Sequence, residues 1–198
     1  FVFNAKNITS KNLIQKKYNL PKNYFIVPNQ FWKHKNYDLI IKSINHIKKQ
    51  KLNTNILIVM TGRGFDYRSK NYFSDIKLTI NKLGLNSHFK HLGVINFNDL
   101  LSIIKSSVAL INPSIYEGWS STVEQAKSLN KKMILSSIAV HKEQSNKKTY
   151  FFKNDDYMKL SQHLINISNA KEKPTNSYGK DVRIYASELN KLIQSSIN

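Results

Sequence analysis

The sequence predicts an α/β fold in which helices cover both faces of a parallel sheet. Short apolar runs alternate along the chain with longer segments whose apolar residues recur every three to four positions. The short runs are apolar throughout, as expected for strands that are buried on both sides. At 198 residues the chain is long enough to bury a substantial core. We expect one domain over residues 1–170, followed by a linker and a terminal helix in 171–198.

The first predicted strand and helix set this pattern. Residues 24–27 form an apolar strand that ends at Pro28. Residues 37–51 carry apolar side chains with helical spacing and lysines between them, which indicates an amphipathic helix. Residues 56–60 are the clearest buried strand, and the turn sequence Thr-Gly-Arg-Gly at 61–64 closes it.

The middle of the chain repeats the alternation. Residues 74–83 are predicted as a helix with Gly84 as its stop, and 89–92 as a short strand that ends at Gly93. Residues 98–106 are predicted as a helix that begins with an asparagine cap at its first residue.

The last third continues in the same order. Residues 108–111 are a buried strand, and a further helix described below follows it. Residues 133–136 and 150–152 are the remaining strands, and 155–167 form a helix. Proline and glycine in 171–179 predict a linker to a terminal helix over 181–193.

The most informative segment lies between the strand at 108–111 and the next helix. Its sequence, Tyr-Glu-Gly-Trp-Ser-Ser-Thr-Val-Glu-Gln-Ala, occupies 116–126 and places Glu117 and Gly118 in the connecting loop. Ligand sites form at such junctions because free backbone N–H groups meet the positive end of the helix dipole. Gly118 lets the backbone approach a ligand or adopt a positive φ. A ligand with hydroxyls and an anionic group, such as a sugar nucleotide, fits this chemistry.

The helix that follows this loop has a predicted start and stop. Ser121 and Glu124 have the spacing of a capping box, which predicts a helix over 122–129 with Asn130 as a left-handed stop. Glu117 precedes the cap, so its carboxylate is available to a ligand. The alternative is an ordinary capped helix that binds nothing.

Composition excludes several kinds of site. The chain has no cysteine, so it has no disulfide, thiolate metal site or thiol nucleophile. No apolar run approaches the roughly 18 residues that a membrane span needs, and the six histidines have no metal-ligand spacing. The first residue is not methionine and no signal-peptide core follows it. The chain is therefore expected to be a fragment or a processed product.

The charge is strongly positive, with 31 lysines and arginines against 12 acidic residues and a net charge of +19. Biased composition with lysines on solvated faces is the first explanation, and attraction to an anionic membrane surface is the second. Specific nucleic-acid binding is the least favoured, because arginine is scarce and no RNA- or DNA-binding motif is present.

Five segments, in order, give the chain a resemblance to a known family. It resembles the C-terminal, donor-binding domain of retaining glycosyltransferases of the GT-B fold, in the group 1 family that builds bacterial polysaccharides. This resemblance implies a Rossmann-like sheet as the C-terminal half of a GT-B fold. The segments are 17–27, 29–38, 91–95, 112–120 with the sequence Asn-Pro-Ser-Ile-Tyr-Glu-Gly-Trp-Ser, and 136–144 with the sequence Ser-Ser-Ile-Ala-Val-His-Lys-Glu-Gln.

The resemblance assigns two residues to the reacting groups. Lys35 is expected to neutralise the donor diphosphate, and Glu117 to hold hydroxyls of the transferred sugar. The expected donor-binding residues are Gln30, Lys33, Arg63, Val94, Ile95, Gly118, Trp119, Ser120, Ser121, Thr122 and Gln125. Among them, backbone N–H groups of 120–122 bind the diphosphate and the backbone at 94–95 meets the base.

The chain departs from the family pattern at two positions. Relatives have a second glutamate eight residues after the first, where this chain has Gln125. Its carbonyl oxygen can still accept a bond from a ribose hydroxyl, although more weakly than a carboxylate. Relatives also place an arginine five residues before the lysine, where this chain has Gln30. Lys33 or Arg63 is expected to supply the missing charge.

Two residues near the expected site keep two interpretations each. His141 either lines the site or is structural, and Trp119 is either a wall of the site or a plug in the core.

The resemblance also implies partners and limits. The donor is a UDP-, GDP- or ADP-sugar, no metal or other cofactor is needed, and an N-terminal acceptor-binding domain is missing. The chain alone is therefore expected to bind the donor without transferring sugar, in the cytoplasm or peripherally on the cytoplasmic membrane face. The alternatives are a sugar-nucleotide epimerase fragment of the same fold and a basic module that binds nucleic acid or membrane.

Overall fold

The computed structural model describes residues 8–51 and 55–170. Its centre is a six-stranded sheet in which all neighbouring strands are parallel. The predicted α/β fold is therefore confirmed. The strands are β1 (Phe25–Val27), β2 (Ile58–Met60), β3 (Phe89–His91), β4 (Leu110–Asn112), β5 (Met133–Ser136) and β6 (Thr149–Phe152).

Seven α-helices connect or flank these strands in the described ranges, and short 3-10 turns occupy Lys33–Lys35 and Asn86–His88. The helices are α1 (Lys11–Tyr18), α2 (Tyr37–Lys49), α3 (Tyr72–Lys82), α4 (Phe97–Ser106), α5 (Ser121–Ser128), α6 (Ala139–Glu143) and α7 (Tyr157–Asn169). None of these helices combines the length and the apolar character that crossing a bilayer requires.

Two apolar layers enclose the sheet. Alternate residues of one strand point to opposite faces, so Phe25 and Val27 of β1 pack in one layer and Ile26 in the other. The first layer contains buried residues of α2, α3 and α7, and the second contains buried residues of α1, α4 and α5. Burial on both faces explains why the four inner strands are largely apolar. The expectation of strands that are apolar throughout was wrong for the edge strands β3 and β6, which are only partly buried and carry polar residues.

The strand order β3-β2-β1-β4-β5-β6 reverses direction at the middle of the sheet. The chain moves outward from β1 to β3 and then returns to pair β4 beside β1, with Ile26 opposite Leu110. At such a point the two loops leaving the strands diverge and open a crevice at the carboxyl edge. The loops after β1 and β4 therefore define the expected ligand site.

The element boundaries agree with the sequence-based prediction to within two residues for all six strands and the five helices predicted before residue 170. The left-handed stop at Asn130 is confirmed by its φ of 52°. Two helices, α1 and α6, were not predicted. The linker at 171–179 and the helix at 181–193 lie outside the described residues.

The predicted cap of α4 was wrong by two residues. Asn96 caps this helix, and its side-chain oxygen accepts a hydrogen bond from the Asp99 N–H at 2.8 Å. Asn98 lies inside the first turn and is exposed. Both asparagines precede an apolar periodic segment, so the sequence alone does not distinguish them.

Candidate functional site

A buried ion pair occupies the carboxyl edge where the strand order reverses. Lys35 ends the 3-10 turn after β1, and Glu117 lies in the loop after β4. The Lys35 Nζ is 2.5 Å from the Glu117 Oε1, and the two side chains are only 10% and 8% exposed. The structure thus brings together the two residues that were expected to act on the reacting groups.

Three hydrogen bonds converge on the same carboxylate oxygen of Glu117. Besides Lys35, the Ser114 Oγ donates to Oε1 at 2.8 Å and the Asn112 Nδ2 donates at 3.2 Å. Burial raises the pKa of the Glu117 carboxyl, but Lys35, Ser114 and Asn112 outweigh it and hold the pKa below its ordinary value. Glu117 is therefore an anion at neutral pH. Within the described ranges its second oxygen, Oε2, accepts no hydrogen bond.

A network of buried polar side chains lies next to the Lys35–Glu117 pair. The Asn112 Oδ1 accepts hydrogen bonds from the Ser114 Oγ at 2.7 Å and from the Asn29 Nδ2 at 3.2 Å. The Asn29 carbonyl in turn accepts from the Tyr37 Oη at 2.7 Å. Sequence reasoning counted the Asn-Pro-Ser segment among the motifs of the resemblance but gave the Asn112 and Ser114 side chains no role at the site. A polar pair directly after a fully apolar strand was the available signal for this support.

His141 belongs to the same buried layer. It is fully buried, and its Nδ1 lies 3.0 Å from both the carbonyl oxygen and the Oγ of Ser136. Because a carbonyl oxygen can only accept, we assign the ring proton to Nδ1. Burial lowers the pKa of His141, so the ring is neutral. Its Nε2 is buried without a partner in the described part of the chain, and the residue is a support with no surface open to a ligand.

The start of α5 differs from the prediction. Ser120 is the residue before the helix, and no side chain caps the N-terminus. The predicted capping box of Ser121 and Glu124 is therefore wrong. Instead, the Glu124 Oε1 accepts a hydrogen bond from the Gln144 Nε2 at 3.0 Å. The buried Gln144 side chain supplies the donor that was expected from the Ser121 backbone.

The N–H groups at this helix start divide into two sets. The Ser120 N–H donates to the Gln144 Oε1 at 3.1 Å, so it is not available to an anion in this conformation. The N–H groups of Ser121 and Thr122 lie in the first turn, where a helix has no internal acceptors for them. These two groups and the helix dipole remain for a phosphate.

The residues expected to supply further positive charge lie on two adjacent loops. Gln30 accepts a hydrogen bond from the Arg63 N–H at 2.7 Å, which joins the loops after β1 and β2. Gly62 has a φ of 114°, and a Cβ there would lie 2.5 Å from the Asn29 oxygen. Only glycine therefore allows this approach. Lys33 and Arg63 are both exposed at this edge.

The loop expected to meet the base lies beside these two. Val94 follows β3 and is 70% exposed, whereas Ile95 packs against the core layer that contains α4. The Gly93 carbonyl accepts a hydrogen bond from the Gly62 N–H at 2.8 Å. The loops after β1, β2 and β3 are thus linked in sequence along the edge.

The remaining expected site residues belong to the β4–α5 segment. Gly118 has no positive φ, and a Cβ there would meet nothing within 4 Å, so it borders open space. Trp119 is 57% exposed, which excludes the interpretation as a core plug. Gln125 is buried, and its Oε1 has no partner among the described residues. A ribose hydroxyl would reach that oxygen only after the side chain rotates.

An aromatic stack next to the ion pair was not predicted. The rings of His34 and Tyr116 stack at 4.5 Å, and the Arg68 guanidinium lies 4.9 Å from the Trp32 ring while it pairs with Asp66 at 3.0 Å. These residues come from three different loops, so no local pattern in the sequence could reveal the stack. In residues 8–51 and 55–170, no group of three or more histidine or acidic residues could hold a metal ion.

Comparison with protein families gives an independent result. Residues 10–181 match the family model described as Glycosyl transferases group 1. The O-antigen chain mannosyltransferase RfbU of Salmonella typhimurium is 28% identical over 166 residues, which are 84% of this chain and 43% of that protein. The chain thus spans less than half the length of this relative.

Several solved structures have the same fold as this chain. HepE of Anabaena, in complex with UDP and glucose, has a TM-score of 0.74 at 14% identity. The match covers 96% of this chain and 53% of the HepE chain. A glycosyltransferase from Rickettsia africae has a TM-score of 0.67 at 18% identity, with 79% and 41% covered. Sucrose-phosphate synthase from Thermosynechococcus elongatus has a TM-score of 0.67 at 13% identity, with 98% and 51% covered. At these identities the likeness concerns the fold.

Proposed function

Because this chain belongs to the glycosyl transferases group 1 family, we propose that its carboxyl-edge site binds the nucleotide-sugar donor of a glycosyl transfer reaction. The observation that carries the proposal is the buried Lys35–Glu117 pair beside the uncapped N-terminus of α5. A cation, a carboxylate and free N–H groups in one crevice match a ligand with both phosphates and hydroxyls. HepE, which has the same fold, was solved with UDP and glucose.

In this proposal, Lys35 and the start of α5 bind the diphosphate. An ammonium group has three donors, so Lys35 keeps its bond to Glu117 while it donates to a phosphate oxygen. The N–H groups of Ser121 and Thr122 bind further phosphate oxygens. Together they stabilise the negative charge that develops on the departing nucleoside diphosphate, a form of preorganised electrostatic catalysis. Lys33 and Arg63 add positive charge at the rim.

Glu117 binds the sugar by accepting a hydrogen bond from one of its hydroxyls. Its Oε1 is occupied by Lys35, Ser114 and Asn112, and its Oε2 is the acceptor left for a sugar hydroxyl. Gly118 and Trp119 border the same space. The loop at Val94 and Ile95 meets the base, and Gln125 meets the ribose once its buried side chain has rotated.

The complete enzyme has a further domain in this proposal. This chain covers 43% of RfbU and 53% of HepE, and the acceptor is held by the part that those proteins have in addition. The chain alone binds donor but transfers no sugar. The name of RfbU favours cell-surface polysaccharide or lipopolysaccharide synthesis. We further propose that the transfer retains the anomeric configuration and takes place in the cytoplasm or on the cytoplasmic membrane face. Glycosyl transfer by this chain alone would contradict the two-domain requirement.

A thermal-shift panel tests donor binding. The chain is heated with UDP, GDP and ADP and with a sugar conjugate of each. A ligand present at about 100 times its Kd stabilises the folded chain by roughly 2.7 kcal/mol, which is readily measured. We expect one base to shift the melting temperature, and the absence of any shift across the panel would contradict donor binding.

The Glu117→Ala variant tests the sugar contact. It should weaken binding of the matching nucleotide-sugar by about tenfold or more, because a hydrogen bond to a charged group contributes about 1.5–3 kcal/mol. Binding of the nucleoside diphosphate alone should change much less. Isothermal titration measures both, and Asp75→Ala, which removes an exposed acid on α3, is the control. Equal losses for both ligands would show that Glu117 does not contact the sugar.

A further inference from the structure

Gln144 occupies an unusual position for a side chain that faces no ligand. It follows α6, is fully buried, and contacts the start of a different helix. Its Oε1 accepts from the Ser120 N–H at 3.1 Å, and its Nε2 donates to the Ser120 carbonyl at 3.0 Å. The amide therefore pairs with both backbone groups of one residue, as a neighbouring strand would do.

The second donor of the Gln144 amide is also used. The Nε2 donates to the Glu124 Oε1 at 3.0 Å, one turn into α5. The three hydrogen bonds of the Gln144 side chain thus go to Ser120 and Glu124, at the start of α5. No side chain caps this helix in the ordinary way, so Gln144 fixes its start from outside.

Ser120 transmits this restraint to the ion pair. The Ser120 Oγ accepts from the Asn112 Nδ2 at 3.0 Å, and the same Nδ2 donates to the Glu117 Oε1 at 3.2 Å. Gln144, Ser120 and Asn112 are all buried. Few other arrangements are open to these groups, because a buried polar atom that loses its partner costs free energy.

We propose that Gln144 is a positioning residue for the donor site: it holds the start of α5 and, through Ser120 and Asn112, the Glu117 carboxylate in the geometry that binds the donor. The inference rests on the proposed function and adds a residue that touches neither sugar nor phosphate. Only a carboxamide of this length suits the position. Glutamate lacks the donor, and asparagine is one methylene too short to span the same gap.

A swap of donor and acceptor tests the role. Gln144→Glu keeps an acceptor for the Ser120 N–H but places a carboxylate against Glu124 and the Ser120 carbonyl. We expect the Kd of the nucleotide-sugar identified by the thermal-shift panel to rise about tenfold. Adding Glu124→Gln removes the repulsion between the two carboxylates and supplies an amide donor from the opposite side, but the Ser120 carbonyl still lacks its donor. The Kd of the double variant should therefore fall only part of the way back toward the wild-type value.

Control measurements separate positioning from loss of folding. All Kd values are measured at a temperature where circular dichroism and urea unfolding show each variant to be folded. Gln162→Glu makes the same chemical change at an exposed position on α7 and should leave the Kd unchanged. If Gln144→Glu does not fold, Gln144→Met removes the same hydrogen bonds without adding a charge, and the same rise in Kd is expected.

The titration of Glu117 gives a second readout that needs no ligand. Carboxyl-carbon NMR should show the pKa of Glu117 raised in Gln144→Met, which adds no charge of its own, because Lys35, Ser114 and Asn112 hold this pKa low only when the loop is in place. A folded Gln144→Glu or Gln144→Met chain with unchanged Kd and unchanged Glu117 titration overturns the inference. So does a loss of binding in Gln144→Glu that Glu124→Gln does not reduce at all. If the wild-type chain binds no nucleotide, the proposed function fails while the titration still decides whether Gln144 positions Glu117.

Discussion

At the scale of single residues, the Lys35–Glu117 ion pair differs from the other ion pairs of the described ranges because its basic side chain is also buried. The lysine of the Lys17–Asp99 pair and the arginine of the Arg68–Asp66 pair are 56% and 46% exposed, whereas the Lys35 side chain is 10% exposed. Exposed pairs contribute little because water and salt screen them. A buried pair is costly to break, because the remaining charge is left without compensation.

Lys35→Met should destabilise the chain by about 3 kcal/mol at pH 7. Glu117 has a folded-state pKa below its ordinary value, so its contribution to wild-type stability is present above that ordinary value and is lost as the pH falls through the folded pKa. In the variant the Glu117 pKa is raised, so the deficit shrinks as acid protonates the carboxyl. Urea unfolding from pH 7 to pH 4 should show the two stabilities converging.

The control for this prediction is Lys33→Met. Lys33 is exposed two residues earlier on the same turn, and its replacement should change stability by no more than about 0.5 kcal/mol. A constant gap between Lys35→Met and wild type at all these pH values would show that the lost contribution is packing and not charge pairing.

The sequence predicted which residues lie together at the carboxyl edge better than which atoms they contact. The position of Glu117 in a strand-to-helix loop was clear, and the resemblance to relatives pointed to Lys35. Their mutual bond spans 82 positions, so it depends on the pairing of β1 with β4. The role of Gln144 was missed for the same reason, because its partner Ser120 lies 24 positions away.

At the scale of elements, helix starts were the least predictable features. In α4 the correct cap is Asn96, and in α5 the helix begins at Ser121 without a side-chain cap. Helix α1 was missed because only Ile14 of its eight residues is buried. A single buried side chain leaves no apolar periodicity to detect. The four inner strands were easier, since burial on both faces leaves largely apolar runs.

Asn96→Ala should cost about 1 kcal/mol, because the Asp99 N–H loses its cap. Asn98→Ala, at an exposed position in the first turn of the same helix, should be neutral or slightly stabilising, since alanine has the higher helix propensity. Chemical denaturation of the two variants gives the comparison. Equal effects would mean that the cap contributes nothing measurable.

Gly62→Ala should destabilise the chain by about 2 kcal/mol, because the residue has a positive φ and its new Cβ would meet the Asn29 carbonyl. Gly118→Ala should leave the free energy of unfolding within about 0.5 kcal/mol, since the added methyl group enters open space. Thermal unfolding of both variants checks this difference. Weaker nucleotide-sugar binding by the stable Gly118→Ala chain would place Gly118 next to the donor.

At the scale of the whole molecule, the fold class followed from the sequence but the strand order did not. Alternating apolar runs and amphipathic segments predict a parallel sheet, and many strand orders satisfy them. The strand order in this protein depends on the connection that returns the chain from β3 and pairs β4 with β1. The rule that crossover connections are right-handed reduces the number of possible strand orders but does not select one of them. The location of the crevice therefore required the three-dimensional structure.

The net charge of +19 predicts a salt dependence of stability. Repulsion among like charges opposes the compact state, and raising NaCl from 0.01 M to 1 M shortens the Debye length from about 30 Å to about 3 Å. The melting temperature of the ligand-free chain should rise by about 3 °C, which corresponds to about 1 kcal/mol for a chain of this size. A fall in melting temperature would show that attractive pairs outweigh the repulsion.

The seam between β1 and β4 also has a consequence for folding kinetics. The Lys35–Glu117 and Asn29–Asn112 bonds, which join the loop after β1 to the end of β4 and its loop, span 82 and 83 positions. Closing a loop of that length costs about 4 kcal/mol of chain entropy. Contacts of such high sequence separation form slowly. If the site is completed after the folding transition state, added nucleotide should slow unfolding and leave the refolding rate unchanged. Stopped-flow measurements of the refolding and unfolding rates, with and without nucleotide, would then show whether the site forms before or after the transition state.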